Sequence, residues 1–217
     1  MYNIVEIFDS LEGEGLRQGL AATFIRFAGC NLKCSWCDTA HAQTLEKATQ
    51  LSELDVVKKV NLNFRRITLT GGEPLIQKDV TRLIRSLLGT NSMVNIETNG
   101  SVDISPFQSL KNLFFSIDYK LASSGENYKM LESNYLNLKQ SDCIKFVVSD
   151  EKDVNQASDF IKKIYLSYVG KKDKAPQSYM TVTDKNLGGY ILEQIIKYPH
   201  LKNLKVYTQL HKELRIR

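Results

Sequence analysis

Apolar runs of four or five residues recur along this chain, at Thr23–Phe27, Ile67–Thr70, Met93–Glu97, Leu113–Ile117, Ile144–Val148, Tyr179–Val182 and Leu204–Tyr207. Each is rich in β-branched or aromatic side chains, which is the pattern of a buried strand. Between them the apolar period lengthens. Val80, Leu83, Ile84, Leu87 and Leu88 recur at i, i+3, i+4, i+7 and i+8, a stripe along one helix face. Val154, Ala157, Phe160, Ile161 and Ile164 predict a second helix, and Leu187, Ile191, Leu192 and Ile195 a third. Leu54, Val57 and Val60 predict another, opened by a capping arrangement of Ser52 with Asp55. The stretch before Ile144 is less regular, with weak helix signals near Tyr128–Leu136.

Strand–helix alternation of this kind predicts a mostly parallel sheet with helices on its outer face. Six or seven such units in 217 residues fall short of the ~250 typical of a closed eight-stranded barrel. The predicted fold is therefore α/β, an open partial (β/α) barrel, with Ile4–Phe8 pairing as an extra strand before it. No linker, repeat or low-complexity tract interrupts the chain, which reads as one domain over residues 1–217.

Polar motifs gather at one end of the predicted strands. Cys30 follows the first barrel strand, Gly71-Gly72-Glu73-Pro74 the second and Glu97-Thr98-Asn99-Gly100 the third. Asp118 and Lys120 follow the fourth, and Gln209 and His211 the last. In parallel α/β barrels the C-terminal strand ends are where ligands and catalysis collect.

The most specific of these motifs is Cys30-Asn-Leu-Lys-Cys34-Ser-Trp-Cys37, three cysteines on one loop with no fourth nearby. A structural zinc or a closed cubane takes four protein ligands. Three thiolates leave one iron of a 4Fe–4S cluster open to a small molecule. Zinc completed by Asp38 or His41, or a disulfide, is the plainer reading; zinc sites usually bring ligands in pairs from two loops, and no second pair stands here. The remaining cysteine, Cys143, lies within an apolar run and reads as a small buried hydrophobe.

Composition narrows the field further. Hydrophobic residues make up 42% and charged residues 24%, excluding a disordered chain. No run approaches the ~20 apolar residues of a membrane span, and the first residues lack the pattern of a secretory signal. Reduced cysteines then suit the cytoplasm. A net charge of +5 fits a small anionic substrate or an acidic redox partner and is too mild to argue for nucleic acid. Lys171, Lys172 and Lys174, between Gly170 and Pro176, read as a solvated loop.

The cysteine loop, with Trp36 before its last cysteine, and Gly71-Gly72-Glu73-Pro74 one βα unit later resemble the radical S-adenosylmethionine (SAM) superfamily. Glu6 to Gly15, Phe24-Ile-Arg-Phe-Ala-Gly-Cys-Asn-Leu32, Cys37-Asp38-Thr39, Glu97-Thr98-Asn99-Gly100 and Gln209-Leu-His-Lys212 narrow the likeness to the 7-carboxy-7-deazaguanine synthase family, from Glu6 to Arg217. The resemblance implies a radical SAM fold and a Mg²⁺-dependent carbon–nitrogen lyase. Its reaction contracts 6-carboxy-5,6,7,8-tetrahydropterin to 7-carboxy-7-deazaguanine with loss of ammonia, towards queuosine and related deazapurines. Flavodoxin or ferredoxin as electron donor and a homodimer are further implications.

By the same resemblance, Cys30, Cys34 and Cys37 hold the 4Fe–4S cluster and SAM chelates its fourth iron. Gly72, with Gly71 and Glu73, faces the methionine part of SAM; Trp36, Asp38, Glu97, Asn99, Ser116, Asp118 and Lys120 complete the cofactor side. Thr39 matches the Mg²⁺ ligand, a hard oxygen donor. Backbone at Glu12 and Gly13 and the side chain of Glu14 would read the pterin N–H donors, and Arg26 would clamp its carboxylate. Thr70, Gln209, His211 and the terminal carboxylate of Arg217 would close the pocket.

Bland readings stand beside these. Glu12 and Glu14 between glycines could be a solvated turn, Thr39 a local backbone cap, and His211, His41 and His200 surface histidines. Arg26 inside an apolar strand resists such a reading, because a buried arginine needs an anion. Glu12 stands where the family usually has glutamine, and Ser116-Ile-Asp-Tyr-Lys120 where many members have Ser-Pro-Lys. A glycyl-radical-enzyme activase shares the cysteine loop but needs a peptide-binding face, and a non-enzymatic metal-binding protein would carry zinc without cleaving SAM.

Overall fold

The computed structural model describes residues 1–171 and 174–216, apart from the side chain of His211. Its strands are β1 (Tyr2–Leu11), β2 (Ala21–Phe27), β3 (Thr49–Leu51), β4 (Arg66–Gly71), β5 (Met93–Thr98), β6 (Leu113–Asp118), β7 (Cys143–Val148), β8 (Gln177–Val182) and β9 (Lys205–Tyr207). Its α-helices are α1 (Glu53–Lys58), α2 (Val80–Gly89), α3 (Ser133–Leu136), α4 (Glu151–Ser167), α5 (Leu187–Lys197) and α6 (Leu210–Glu213).

The strands form one sheet in the order β3-β1-β2-β4-β5-β6-β7-β8-β9. From β2 onwards neighbours run parallel, while β1 is antiparallel to β2 and β3. The sheet ends at β3 and β9, so the barrel stays open, as the unit count predicts. The extra first strand is longer than Ile4–Phe8, and β3 carries no sequence signal strong enough to predict it: Thr49-Gln50-Leu51 is short and mostly exposed.

Two side-chain layers follow from strand alternation. Outward residues such as Leu69, Ile96, Ile117, Phe146 and Met180 are buried beneath the helices. Leu83, Ile84 and Leu87 of α2 and Val154, Ala157, Phe160, Ile161 and Ile164 of α4 supply the other half of this core, as the stripes predict. Two helices depart from prediction. Val56 and Val60 are the buried residues around α1, leaving Leu54 60% exposed; on α5, Leu192 is 57% exposed while Leu187 and Ile191 are buried. The Ser52–Asp55 capping box forms as expected.

Crossover length varies around the sheet. The β5–β6 connection has only a 3₁₀ turn at Ser105–Phe107, and β6–β7 only 3₁₀ turns and the one-turn α3. Aromatic side chains fill this side instead: Tyr119 stacks on Phe160 at 3.7 Å, with Tyr135 edge-on to both. Inward residues are of another kind. Arg26 lies beside Thr70, Glu97 beside Ser116, and Lys145 between Asp118 and Tyr179. Register thus places charged side chains on two neighbouring inward rows, Glu97 with Ser116 and Asp118 with Lys145.

Candidate active site

The cysteine loop leaves the end of β2 and docks on the loops that follow β5 and β6. Lys33 N–H donates to Glu126 Oε1 at 2.7 Å, Ser35 N–H to the Ser124 carbonyl at 3.1 Å, and Trp36 Nε1 to Ser123 Oγ at 3.2 Å. Asn31 Nδ2 donates to Ser101 Oγ at 2.8 Å. Side chains and backbone of these two loops therefore fix where the thiols sit.

Gly71 and Gly72 turn out to serve this junction. A Cβ on Gly72 would meet the Gly29 carbonyl oxygen at 2.0 Å, and one on Gly71 the Phe27 oxygen at 2.2 Å. Sequence reasoning put a ligand against these glycines; the nearest constraint is the backbone entering the cysteine loop. Glu73 is wholly buried rather than facing the cavity. Its carboxylate accepts from Leu75 N–H at 3.0 Å, Thr98 Oγ1 at 2.8 Å and Asn99 N–H at 2.7 Å, so it braces the end of β5. Burial pushes this carboxyl up to about 7 against those donors.

A cavity of about 330 Å³ opens over the C-terminal strand ends. Cys30, Cys34, Cys37, Trp36, Asp38, Thr39, Gly71, Gly72, Glu97, Asn99, Ser116, Asp118 and Lys120 all line it, as do Gly13, Glu14, Arg26, Thr70 and Gln209. His41, expected only as a surface residue, is exposed at the same rim. His200 is half-buried and bonded to Ser158 at 3.2 Å, away from the cavity. The His211 side chain and Arg217 lie outside the described residues, as does Lys172 of the predicted solvated loop.

Three free thiols on one loop facing one cavity are the donor set of an open 4Fe–4S site. Cys30 Sγ accepts from Leu32 N–H at 3.5 Å and from Asn99 Nδ2 at 3.8 Å, the kind of N–H donation that tunes a cluster ligand. Burial raises the Cys30 and Cys34 thiols above their ordinary range, with the nearby Lys120 charge opposing it at Cys34. Among the described residues no three His, Cys, Asp or Glu groups form a ready metal cage. The fit therefore rests on the donors and their shared cavity.

Thr39 Oγ1 donates to Asp38 Oδ1 at 2.8 Å, placing two hard oxygens together at the rim. Burial works against the Asp38 charge, but Lys145, the Thr39 hydroxyl, Lys212 and the Gln209 amide outweigh it and hold its pKa well below the usual carboxylate range. Gln209 Nε2 and Lys212 Nζ each donate to Asp38 Oδ2 at 3.3 Å, and Leu210 N–H bonds the Gly13 carbonyl at 3.0 Å. The segment after β9 thus latches across the cavity.

Glu12 is 2% exposed and lies beneath the cavity rather than in its lining. Its N–H donates to the Leu20 carbonyl at 2.9 Å, closing the β1–β2 hairpin. Its carboxylate takes the Thr68 hydroxyl and lies 3.6 Å from Arg17 Nε. Burial, with the Glu97 charge in the same direction, pushes it up to about 7. Burial also raises Glu97, which accepts from Thr70 Oγ1 at 2.7 Å.

Arg26 does have the anion that its burial demands, but it is internal: Nε donates to Glu6 Oε1 at 2.9 Å, with the guanidinium 5.4 Å over Phe8. A guanidinium carries five N–H donors, so one further anion can still be taken. Sequence reasoning missed Lys145, Thr181 and Lys212, all of which line the cavity. Lys145 had a signal: a lysine inside Cys-Ile-Lys-Phe-Val-Val can only face inward among partners.

Comparison with known proteins fits this geometry. The radical SAM superfamily model matches residues 24–132. The 7-carboxy-7-deazaguanine synthase of Clostridium acetobutylicum is 38% identical over 215 residues, covering 97% of this chain and 95% of the relative. That of Methanospirillum hungatei is 37% identical over 213 residues, covering 96% and 83%. Among solved structures, the crystal structure of QueE from Escherichia coli shares the fold at a TM-score of 0.75 and 24% identity, covering 96% of this chain and 93% of that one. On this combined ground the chain belongs to the 7-carboxy-7-deazaguanine synthase family of the radical SAM superfamily.

Proposed function

We infer that this cavity contracts 6-carboxy-5,6,7,8-tetrahydropterin to 7-carboxy-7-deazaguanine with release of ammonia, and we assign its residues as follows. The single observation that carries the reading is the meeting, in one cavity, of the three-cysteine loop with Glu14, Arg26 and the Asp38–Thr39 pair. Family membership leaves the glycyl-radical activase reading without support.

A 4Fe–4S cluster with SAM, held by Cys30, Cys34 and Cys37, would supply the radical hydrogen-abstraction chemistry that the reaction needs at pterin C6. The remaining work is done by the chain. Gly71, Gly72 and Asn99, with Trp36, Ser116, Asp118 and Lys120, bound the SAM side of the cavity. Lys120 lies 5.3 Å from the Trp36 ring centroid and pairs with Asp118, closing that wall. Glu73 acts from below by holding Thr98 and Asn99.

On the substrate side Glu14 accepts the pterin N–H donors and Arg26 clamps the carboxylate, with Thr70 and Gln209 beside them. Glu12 contributes through the hairpin that carries Gly13 and Glu14. The Thr39 hydroxyl and Asp38 carboxylate are the oxygens that would hold Mg²⁺ against the substrate carboxylate. Latching of the 209–212 segment onto Asp38 and Gly13 keeps water and stray hydrogen donors away.

A low-potential flavodoxin or ferredoxin is the reductant this chemistry calls for, in a cytoplasmic homodimer. Among the described residues no helix is long and apolar enough to cross a membrane. The test is anaerobic turnover of reconstituted protein with SAM, reductant, Mg²⁺ and the carboxytetrahydropterin. We expect 7-carboxy-7-deazaguanine by mass spectrometry, lost on Cys34→Ala. Deoxyadenosine without deazaguanine would sink the substrate assignment.

A further inference from the structure

We propose that Lys145 and Thr181 are positioning residues that aim the Glu14 carboxylate at the amino-pyrimidinone edge of the substrate, and so set the enzyme's selectivity for that edge. This rests on the reading of the cavity as the carboxytetrahydropterin site. Glu14 stands at the start of the 3₁₀ turn Gly15–Arg17 with its backbone extended, yet its side chain does not cap that turn. It crosses instead to two distant strands. Lys145 Nζ of β7 donates to Oε1, and Thr181 Oγ1 of β8 donates to Oε2 at 2.6 Å. All three residues line the cavity, and the Glu14 side chain is only 8% exposed.

A carboxylate offers about four acceptor directions. One donor on each oxygen fixes the plane of the group and leaves one direction on each free for a ligand. A 2-amino-4-oxo pyrimidine ring presents two adjacent, parallel N–H donors, which a carboxylate in fixed orientation receives as a pair. Lys145 also stands 3.9 Å from Asp118 Oδ1, tying the recognition carboxylate to the SAM wall. Burial disfavours its charge, but Glu14, Asp118 and Glu97 together hold its pKa well above the ordinary lysine value. The cation therefore persists, and without it those carboxylates would repel one another.

Selectivity follows from pairing. A substrate analogue lacking the 2-amino group leaves one oriented acceptor of Glu14 buried without a donor, and such sites reject the analogue strongly. A Glu14 free to turn away from the ligand would reject it less.

The experiment uses the anaerobically reconstituted holoenzyme as wild type, Lys145→Met, Lys145→Arg and Thr181→Val. Steady-state kcat and KM are measured for 6-carboxytetrahydropterin and for its 2-desamino analogue, with KM for SAM alongside, and iron content and melting temperature as checks on folding. Loss of one charge-assisted positioning bond predicts a rise of roughly tenfold or more in pterin KM for Lys145→Met. Discrimination between the two pterins should shrink by a similar factor, SAM KM should move little, and Lys145→Arg should recover most of the loss. Thr181→Val should move both pterin quantities the same way by less, and it carries the test if Lys145→Met fails to load its cluster. Unchanged discrimination in both variants, or equal losses for both pterins and SAM, would overturn the positioning role. A wild-type enzyme that makes no deazaguanine would instead overturn the cavity assignment on which the role stands.

Discussion

Replacing Glu12 by glutamine should flatten the dependence of stability on pH. The carboxyl is 2% exposed and raised from 4.5 to about 7, first by burial and then by the Glu97 charge. Between those values the folded chain holds a proton that the unfolded chain has released. Stability from this group is therefore fully present below about 4.5 and is lost as pH rises towards 7. At about 1.4 kcal/mol per pH unit, the loss is on the order of 3 kcal/mol. Glutamine keeps an oxygen for the Thr68 hydroxyl and carries no charge to titrate. Arg17, 3.6 Å from the Glu12 carboxylate, favours its ionised form, and that pull is already contained in the shift to about 7. Urea unfolding of the metal-free protein, followed by circular dichroism between pH 5 and 8, reads the difference. The Glu12→Gln midpoint should gain on wild type by roughly 1–2 M urea across that range, for an m-value of about 2 kcal/mol/M. Glu73, also raised to about 7, contributes the same slope to both proteins and cancels. Parallel profiles would refute the assignment of a protonated Glu12.

Other perturbations separate the parts of the site. Gly72→Ala drives a Cβ to 2.0 Å from the Gly29 carbonyl, so iron incorporation and deoxyadenosine release should both fall steeply while urea resistance changes less. Asn99→Ala removes an N–H donor from Cys30 Sγ, and anaerobic redox titration should find the cluster potential more negative than in wild type. Tyr135→Phe deletes the hydroxyl that bonds the Asp118 carbonyl at 2.6 Å within the aromatic cluster; a loss of about 1 kcal/mol is expected in denaturant unfolding.

Sequence periodicity revealed the sheet because the outward residues of each parallel strand, such as Ile67 and Leu69 or Val94 and Ile96, are apolar and buried under the helices. It also placed the motifs at the correct end of the sheet, since Cys30, Gly72, Asn99, Asp118 and Gln209 all meet in one cavity. What it could not show was depth. Glu12 and Glu73 are the same residue type as Glu14, yet they lie beneath the cavity as braces, because their strands and turns bury them. Lys145, Thr181 and Lys212 were missed for a related reason: their partners, Glu14 and Asp38, lie more than a hundred residues away in sequence. Helix faces failed only where a stripe was short. Leu54 and Leu192 fit the period, but α1 and α5 rest on the sheet through Val56 and Ile191.

Charge pairing in the cavity leads to a last prediction. Its lining cations among the described residues are Arg26, Lys120, Lys145 and Lys212, apart from His41. Each already has a carboxylate: Glu6, Asp118, Glu14 and Asp38 respectively. An incoming substrate carboxylate therefore meets no unpartnered cation. It must share Arg26 with Glu6 or arrive with a positive charge of its own, and the divalent ion proposed for Asp38 and Thr39 would supply that charge at the rim. Pterin affinity should then depend on Mg²⁺ while SAM affinity should not. We expect the pterin KM to fall by about tenfold on adding Mg²⁺ to metal-depleted holoenzyme, equivalent to about 1.4 kcal/mol. Thr39→Ala combined with Asp38→Asn should remove the response. A Mg²⁺ response that survives in the double variant would place the ion elsewhere; one that acts equally on SAM and pterin would mean that the ion serves the fold instead of the substrate carboxylate.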